Sequence, residues 1–466
     1  MRLSTPSYLV CALLASSVTL AGCDTNTFPD GYVAFLTAPN DDPWSPAPAV
    51  QHVQVDVVQG TDHETVADVS APPDTASVGN QGPRDVTIHF EATGFTASGD
   101  AVVTGVSPSF PLFGFSGMYL PLFVARRGEF ATAPAQLVFP HVHPIAVIDS
   151  LAAVSMVAGG EDASFDLYDP LTWTSPTNQT PLPQTVKSLA MVSVDATTTT
   201  TTTTSLISRL LMINDDGANW LDFTVKPAAA SPASGPLIFA DISGGQTLVA
   251  SDNTTYIVGA TRSDGKPTTK VLQIDAQGAL KAFTLNTARL GAAAALVDDA
   301  LLVVGGSDTG SGAELLAVGA KDFSELPYPA DETTGAGLVE LTSTSVLLAG
   351  GHDANGDPSV TRTLDLSCSD GCSAAEFKSA KFSIGRSQAY RLADNQALIV
   401  GETDDTQTHA YFVDATGSEP VITEKALSTP RKQASSALLP NGQVAIFGGS
   451  DLDSGDSTLN VDVFFQ

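Results

Sequence analysis

The chain has 466 residues, of which 43% are hydrophobic, and this is more than one ordinary domain core holds. Its 51 acidic and 21 basic side chains give a net charge of −30. This charge argues against nucleic acid as a partner and against adhesion to an anionic lipid surface, because both require clustered cations. It is typical of an exported protein kept soluble by self-repulsion, with affinity for cations or basic partners as the alternative.

The first residues have the pattern of a secretory signal. Arg2 is positively charged, and an apolar stretch from Tyr8 to Leu20 is followed by small residues up to Cys23. This stretch is shorter than the ~20 apolar residues of a membrane-spanning helix. The sequence LAGC that ends at Cys23 resembles the lipobox of bacterial lipoproteins. The resemblance implies removal of residues 1–22 and acylation of the Cys23 thiol, whereas an ordinary signal peptide cut nearby would leave this thiol free.

The lipobox resemblance implies a location in the bacterial cell envelope. Several acyl chains on Cys23 would hold the protein stably on a membrane, because a single chain binds only marginally. In enteric bacteria an aspartate such as Asp24 retains lipoproteins at the inner membrane, but this rule varies between bacterial groups. The expectation is therefore a lipid-anchored protein facing the periplasm or the cell surface, with inner or outer membrane left open.

Two segments precede the repeats of the chain. Residues 23–48 are rich in Pro, Asp, Asn and Ala, which is typical of an extended tether. Residues 49–128 alternate between apolar and polar side chains in short runs, such as VQVDVV from Val53 and DVTIHFEA from Asp85. Turn residues separate these runs. The pattern predicts about five to seven short strands in a small immunoglobulin-like β-sandwich.

An apolar run followed by glycine recurs through the rest of the chain. Leu301–Val304, with two glycines after it, is a clear copy, and the period is about 45 residues. The glycine marks are Gly159, Gly259, Gly305, Gly350, Gly401 and Gly448. A degraded copy at Asn214, lengthened by the threonine run 197–204, fills the wide gap between the first two marks. The sequence therefore predicts seven units, or six if the degraded copy is only an insertion.

The repeats favour an all-β fold, a β-propeller of four-stranded blades over residues 129–466. Leu301–Val304 is apolar at successive positions, as a strand buried on both faces is, and sheets stacked around an axis bury their strands in this way. Glycine lets one blade approach the next because it has no Cβ. The chain ends after the third strand of the last unit, so residues 132–139 are predicted to complete that blade.

The repeats resemble the Kelch family of β-propellers. In that family a Gly-Gly pair after an apolar run is followed by a tyrosine and then a tryptophan. The first unit carries the whole pattern, with Gly159, Gly160, Tyr168 and Trp173. The other units keep glycine but lose the aromatic pair. The resemblance implies the architecture and says little about ligands.

Two cysteines remain once Cys11 of the signal and the acylated Cys23 are set aside. Cys368 and Cys372 stand in the sequence CSDGC, whose central residues make a tight turn. Because an exported compartment permits disulfides, these two are predicted to form one. Without nearby histidines they make an incomplete set of zinc ligands.

Two acidic loops and a pair of histidines are the remaining candidates for chemistry. Oxygen ligands alternate in HDANGD, from His352, and in DLDSGD, from Asp451, as in calcium loops, but Asp, Asn and Gly also make turns. His141 and His143 would share one face of a strand and suit copper or zinc, although a third ligand cannot be identified and exposure or hydrogen bonding is the commoner role. No metal, cofactor or catalytic residue is assigned.

The sequence favours a binding protein over an enzyme. No catalytic constellation is recognisable, so the propeller loops are predicted to bind an envelope protein or a glycan, as a scaffold held off the membrane. The alternative is a sugar-acting enzyme or a copper-dependent oxidase, since some Kelch-like propellers are copper oxidases with a tyrosine crosslinked to cysteine. The disulfide predicted for Cys368 and Cys372 counts against the oxidase.

Lipid attachment is tested by the substitution Cys23→Ser. We expect this variant to leave the membrane fraction, because it lacks the thiol that carries the lipid. Membrane fractionation and immunoblotting check the result, and Cys11→Ser, within the signal, is the matched control that stays anchored. Retention of the Cys23→Ser variant on membranes would contradict the lipoprotein prediction.

Overall fold

The computed structural model describes residues 30–466 apart from short gaps. The gaps are residues 40, 80–85, 112–116, 150–153, 160–162, 176–180, 198–202, 224–227, 378–381 and 418. The predicted signal peptide, Cys23 and Gly160 lie outside the described residues. The described chain is all-β, with two short 3₁₀ segments at Phe239–Asp241 and Gly259–Thr261. It contains no helix with the length and apolar character needed to cross a membrane.

The N-terminal strands form two sheets. These strands are β1 (Gly31–Leu36), β2 (Val50–Gln59), β3 (Asp62–Ser70), β4 (Thr75–Gly79), β5 (Thr87–Thr96), β6 (Ala101–Val106), β7 (Phe110–Pro111), β8 (Tyr119–Phe123) and β9 (Ala125–Arg126). One sheet has the order β3-β2-β5-β6-β9, with β7 paired to β5, and the other has the order β4-β1-β8. The predicted alternating runs between residues 49 and 128 fall in these strands.

Both N-terminal sheets contribute to one hydrophobic core. Val53 and Phe90 of the first sheet and Val33 of the second belong to the same buried cluster. The tether prediction is wrong for part of 23–48, because β1 pairs with β4 and β8 and Trp44 is buried in this core. The Pro-rich and Asp-rich composition outweighed the short apolar run of β1 in that prediction.

Seven further sheets follow and are called repeat sheets 1 to 7. Their strands are, in sheet 1, β11 (Ile145–Asp149), β12 (Val154–Ala158) and β13 (Phe165–Tyr168); in sheet 2, β14 (Ser188–Thr197), β15 (Thr203–Asn214), β16 (Gly217–Asp222) and β17 (Ala229–Pro232); in sheet 3, β18 (Gln246–Val249), β19 (Thr255–Val258), β20 (Thr268–Ile274) and β21 (Leu280–Arg289); in sheet 4, β22 (Ala293–Val297), β23 (Ala300–Val304), β24 (Ala313–Leu316) and β25 (Ser324–Leu326); in sheet 5, β26 (Gly337–Thr342), β27 (Ser345–Ala349), β28 (Thr361–Asp365) and β29 (Ala375–Phe377); in sheet 6, β30 (Gly385–Ala393), β31 (Gln396–Glu402), β32 (Thr408–Asp414) and β33 (Val421–Lys425); and in sheet 7, β35 (Ser435–Leu438), β36 (Val444–Phe447), β38 (Val461–Phe465) and β10 (Glu129–Thr132). A two-stranded ribbon joins β34 (Arg431–Lys432) to β37 (Ser450–Asp451).

The repeat sheets have a propeller-like arrangement of antiparallel strands. Strands pair in chain order within sheets 1 to 6, and sheet 7 takes its last strand, β10, from before the repeats. The first strands contact each other from sheet to sheet: β11 contacts β14 and β35, and β22 contacts β26. The first strands therefore lie on the inner side of the arrangement.

The second strand of each repeat sheet is covered on both faces. In β23, Leu301 and Val303 pack with residues of sheet 3, whereas Leu302 and Val304 pack with residues of sheet 5. Successive side chains of a strand point to opposite faces, so a strand between two neighbours must be apolar at every position. This explains the apolar runs of the sequence.

Buried clusters join the repeat sheets pairwise. Six clusters each combine two consecutive sheets, from sheets 1 and 2 to sheets 6 and 7. A further cluster combines sheets 7 and 1, where Phe447 and Phe465 pack with Tyr168 and Trp173. Phe123 of the N-terminal part belongs to the same cluster, with its ring centroid 5.0 Å from that of Phe465. The N-terminal part is thus packed against the junction of the last and first sheets.

The paired glycines lie where the chain leaves a second strand and passes its neighbours. Gly305 and Gly306 have φ values of 80° and 71°. A Cβ at Gly305 would lie 2.6 Å from the carbonyl oxygen of Thr333, which precedes sheet 5, and one at Gly306 would lie 2.7 Å from that of Leu290. Both the backbone conformation and the close approach therefore require glycine.

Strand β10 completes repeat sheet 7 by pairing antiparallel with β38. The prediction that residues 132–139 complete this sheet is wrong except for Thr132, at which β10 ends. The next residue, Ala133, still donates a 2.7 Å hydrogen bond to the chain at the start of β38. Pro134 has no N–H to extend the ladder.

Within the described residues, two ion pairs and one histidine–aspartate pair are fully buried beside the first and third strands of repeat sheets. They join Arg289 to Glu314 at 3.0 Å, Arg431 to Asp462 at 2.9 Å and His141 to Asp166 at 3.0 Å. In each pair the acidic residue is the second residue of the third strand of its repeat sheet. Arg289 also donates to the carbonyl oxygens of Gly305 and Ser311, at 2.7 and 2.5 Å. The arginine thus ties the glycine turn to the third strand.

The buried ion pair between Arg289 and Glu314 is expected to be essential for the stability of the fold. Arg289→Ala should lower the free energy of unfolding by ~3–5 kcal/mol, because it leaves the carboxylate of Glu314 buried without its partner. The matched control, Arg391→Ala, removes a partly exposed pair with Glu340 and should cost less than ~1 kcal/mol. Chemical denaturation of both variants measures the difference, and equal losses would contradict this assignment.

Candidate functional site

The two candidate histidines do not share a face. His141 is fully buried and bonds through its ring to Asp166, at 3.0 Å, and to the carbonyl oxygen of Gly159, at 3.2 Å. His143 is 40% exposed and lines a cavity. The prediction of a shared face is wrong because the segment is not a strand and His143 has a φ of 50°. Within the described residues, no group of three His, Cys, Asp or Glu side chains is arranged to hold a metal ion.

The two acidic loops make turns with their own backbone. Asp353 accepts the N–H groups of Asn355 and Asp357 on one carboxylate oxygen, at 2.8 and 3.0 Å. Asp451 accepts that of Asp453 in the same way, at 3.0 Å. These are the Asx-type turns that such sequences form without a cation.

A disulfide joins Cys368 and Cys372, whose Cα atoms are 5.9 Å apart. These are the two cysteines for which the sequence predicts a bond. The bridge closes the loop between β28 and β29 in repeat sheet 5. Cys372 is buried there and packs in the core between sheets 4 and 5.

A cavity of about 630 Å³ opens where the repeat sheets converge. It is lined by the turns that lead into first strands and by the ends of second strands, which lie at the same end because the two strands run antiparallel. Every repeat sheet, or the turn that leads into it, contributes to this lining. The volume falls in the ~300–1,000 Å³ range of small-molecule sites.

Six residues of the turns into first strands have a left-handed backbone. Three of them are Gly244, Gly291 and Gly335, before or at the start of sheets 3, 4 and 5. The other three carry side chains: His143 at sheet 1, Arg386 at sheet 6 and Gln433 at sheet 7, with φ of 50°, 47° and 58°. A residue with a Cβ pays roughly 1–2 kcal/mol for this conformation, so glycine is the expected residue at all six. The three side chains come from sheets that are neighbours.

Glu402 is the buried carboxylate beside these side chains. It ends β31, lines the cavity and is only 10% exposed. The nearest nitrogens of basic side chains are His143 Nε2, at 3.6 Å, and Arg386 Nη1, at 3.8 Å, and both distances are too long for hydrogen bonds. No side-chain hydrogen bond to Glu402 is present within the described residues. His143, Arg386, Glu402 and Gln433 together are called the polar sector.

Burial shifts the charges of the polar sector towards neutrality. Burial raises the pKa of Glu402 above its usual value of 4.5, and the charge of Arg386 offsets only part of this effect. Burial, and then repulsion from Arg386, lowers the pKa of His143 below 6.5. The imidazole is therefore neutral at pH 7 and offers one donor and one acceptor.

A hydrogen-bonded group beside the polar sector joins repeat sheets 6 and 7. The hydroxyl of Tyr390 lies 2.6 Å from Gln388 Oε1 and 2.9 Å from Ser436 Oγ. The Ser436 hydroxyl is in turn 3.2 Å from the same amide oxygen. Gln388 and Ser436 line the cavity, so this group adds positioned polar atoms to its wall.

A second charged pair lies at the cavity on repeat sheet 2. Lys187 lines the cavity and binds Asp215 at 2.7 Å, and the hydroxyl of Ser243 donates to the same aspartate at 2.8 Å. Asp215 stands where the degraded second repeat lacks its glycine. The hydrogen bond and charge of Lys187 hold the pKa of Asp215 below its usual range.

Sequence analysis selected His143 but missed Arg386, Glu402 and Gln433. The available signal was the alignment of the repeats on their first strands. That alignment places glycine before sheets 3, 4 and 5 and a polar residue at the matching positions of sheets 1, 6 and 7. In the sequence, the polar sector is therefore marked by repeats that keep the first strand but replace the glycine of the turn before it with a polar residue.

Comparisons with known proteins leave the family open. No family model matches the chain, and no curated protein sequence matches it. Among solved structures, one described as "Structure of YjhT" aligns at 11% identity over 71% of this chain and 95% of that chain, with a TM-score of 0.37.

The buried carboxylate is expected to reduce stability at neutral pH. Its folded-state pKa is raised, so the folded protein binds the proton more tightly than the unfolded chain and loses stability as pH rises above 4.5. Glu402→Gln should therefore raise the free energy of unfolding at pH 7 by about 1 kcal/mol, the scale of one unsatisfied buried polar group.

Denaturation at several pH values measures this difference. The gain should disappear below pH 4.5, where Glu402 is protonated in both states. Glu424→Gln is the matched control, because Glu424 is 57% exposed, and it should change stability by less than ~0.5 kcal/mol. A Glu402→Gln variant less stable than the parent at pH 7 would contradict the assignment.

Proposed function

We propose that this chain is a lipoprotein of the bacterial cell envelope, anchored through Cys23, that binds a partner at the cavity of its repeat sheets. It acts as a binding module or scaffold rather than as an enzyme, and its partner is an envelope protein or a glycan. The polar sector carries the proposal. Three side chains occupy a backbone conformation that costs free energy, around a buried carboxylate without a hydrogen bond, and such strain is concentrated at functional sites.

We also infer that the repeat sheets are the blades of a closed, seven-bladed, Kelch-like propeller that follows an immunoglobulin-like sandwich. Two observations support closure: a core cluster between sheets 7 and 1, and the pairing of β10 with β38. Seven blades are favoured over six because the degraded second repeat has four paired strands of its own.

The oxidase alternative has less support than binding. It requires a cysteine thiol for a crosslink to tyrosine, and Cys368 and Cys372 are bonded to each other. No specific observation favours a sugar-acting enzyme. The absence of an assigned catalytic group at the polar sector leaves binding as the simpler role.

Binding at the cavity is tested by photo-crosslinking in cells with the lipidated protein. A photoreactive amino acid at Ser263, an exposed residue of the cavity lining, should give a discrete adduct. The matched control position is Val318, which is 70% exposed and follows β24 at the opposite end of the sheets. Electrophoresis and mass spectrometry of the adducts check the result. No adduct at Ser263, or the same adducts at both positions, would contradict the proposed function.

A further inference from the structure

We propose that the polar sector binds the hydroxyl groups of a neutral saccharide. This inference rests on the proposed function and narrows its partner from a protein or a glycan to a glycan. The sector is formed by His143, Arg386, Glu402 and Gln433, on repeat sheets 1, 6 and 7. Four properties of the cavity support it: a carboxylate acceptor that faces the cavity, a neighbouring donor, a balanced charge on the lining and an asymmetric wall.

The acceptor is the carboxylate of Glu402. It is nine-tenths buried, lines the cavity, and lies 3.6 Å from His143 Nε2 and 3.8 Å from Arg386 Nη1. Its oxygens face the cavity, so a ligand that displaces water from the cavity must donate a hydrogen bond to this carboxylate or leave a buried acceptor unpaired, which is costly. The ligand of this site therefore carries a hydrogen-bond donor.

The neighbouring guanidinium selects against a charged donor. Arg386 is 56% exposed and pairs with the same carboxylate, so an ammonium group bound to Glu402 would be placed against a second cation. An anionic ligand group bound to Arg386 would be placed against Glu402. A hydroxyl group is neutral and both donates and accepts, so it can donate to Glu402 and accept from Arg386.

Further hydroxyl groups find partners in the same sector. The amide of Gln433 offers both a donor and an acceptor, and so does the neutral imidazole of His143. Ligands with several adjacent hydroxyl groups match such a mixed set of planar polar side chains. Saccharides are the ligands of this type that are common in a cell envelope.

The charge of the whole lining agrees with a neutral ligand. The titratable lining residues are Lys187 and Arg386, Asp264 and Glu402, and the neutral His143. The two cations and the two carboxylates of the lining balance, and Lys187 is in addition paired with Asp215. The lining therefore offers no excess of cations that would select an anionic ligand.

The wall opposite the sector is open. Gly244, Gly291 and Gly335 stand there at the left-handed positions, so no side chain extends into the cavity from these points. The terminal residue of a glycan fits against the sector, and the rest of its chain passes over the glycines. The lining within the described residues holds no Phe, Tyr or Trp side chain, so hydrogen bonds carry the recognition and affinity for a short saccharide is in the millimolar range.

Saturation-transfer NMR on the mature chain tests the proposal. The probes are glucose, galactose, mannose, N-acetylglucosamine and their disaccharides, with glucuronate and glucosamine as charged counterparts. The variants are Glu402→Gln, which removes the charged acceptor, and Arg386→Gly, which places at sheet 6 the residue already present at sheets 3 to 5. Asn395→Gly is the matched control, because Asn395 also has a left-handed φ, of 60°, but lies in the turn between β30 and β31.

We expect at least one neutral saccharide to bind and both site variants to weaken it at least about tenfold. The melting temperatures of both variants should not fall, and Asn395→Gly should bind as the parent does. Preference for glucuronate or glucosamine, equal binding by the site variants, or no neutral saccharide bound would each overturn the proposal. If a protein adduct still forms at Ser263 in that case, the proposed binding function stands and only the saccharide is wrong; if no adduct forms, both are wrong.

Discussion

Burial of the second strand on both faces is the constraint on which the repeat sheets depend. A strand between two neighbouring sheets has no side that water can reach, so polar side chains are excluded and the run becomes continuously apolar. The turn after such a strand must then pass the neighbouring backbone closely. Gly305 and Gly306 meet this requirement, since a Cβ at either position would collide with a carbonyl oxygen. The repeat glycines are therefore a consequence of sheet stacking.

The same constraint explains why charged residues are buried in this core. The turns after second strands leave carbonyl oxygens with no partner from a regular ladder, and Arg289 donates to two of them. Its charge is balanced by Glu314 on the adjacent third strand. A buried ion pair is tolerated when its remaining polar atoms are satisfied in this way. Arg431, paired with Asp462, and His141, bonded to Asp166, likewise each bond to the carbonyl oxygen of a repeat glycine, Gly448 and Gly159.

The cavity is formed by the same repeat sheets, but at the turns before their first strands, where a left-handed backbone is required. The turns that lead into first strands need a residue with a left-handed backbone, and glycine, as at Gly335, adopts this conformation without strain. His143, Arg386 and Gln433 depart from it on three neighbouring sheets, and Glu402 lies beside the first two with no side-chain hydrogen bond from the described part of the chain. Each departure costs free energy that stacking of the sheets does not require. The polar sector differs from the other turns of the cavity in that several such costs are concentrated there.

The sequence by itself determined the architecture because the architecture repeats. Apolar runs of the length of Leu301–Val304, each followed by glycine, define the second strands and their period, and the alternation of residues 49–128 defines the N-terminal strands. Local composition was a weaker guide in two segments. In 23–48 the strand β1 was not predicted, and in 132–139 a strand was predicted where β10 ends at Thr132. Pairing with a distant strand decides whether such short segments become strands.

Only the tertiary structure decided which side chains meet. His141 and His143 are two residues apart, yet one is buried against Asp166 and the other lines the cavity, because the segment is not a strand and His143 itself has a left-handed backbone. The side chains that join His143 at the cavity come from distant parts of the chain: Arg386 and Gln433 from the starts of sheets 6 and 7, and Glu402 from the end of β31. They come together only where sheets 6, 7 and 1 converge. Sequence patterns record the burial of each strand, which is local, whereas the site depends on contacts between sheets that are far apart in the chain.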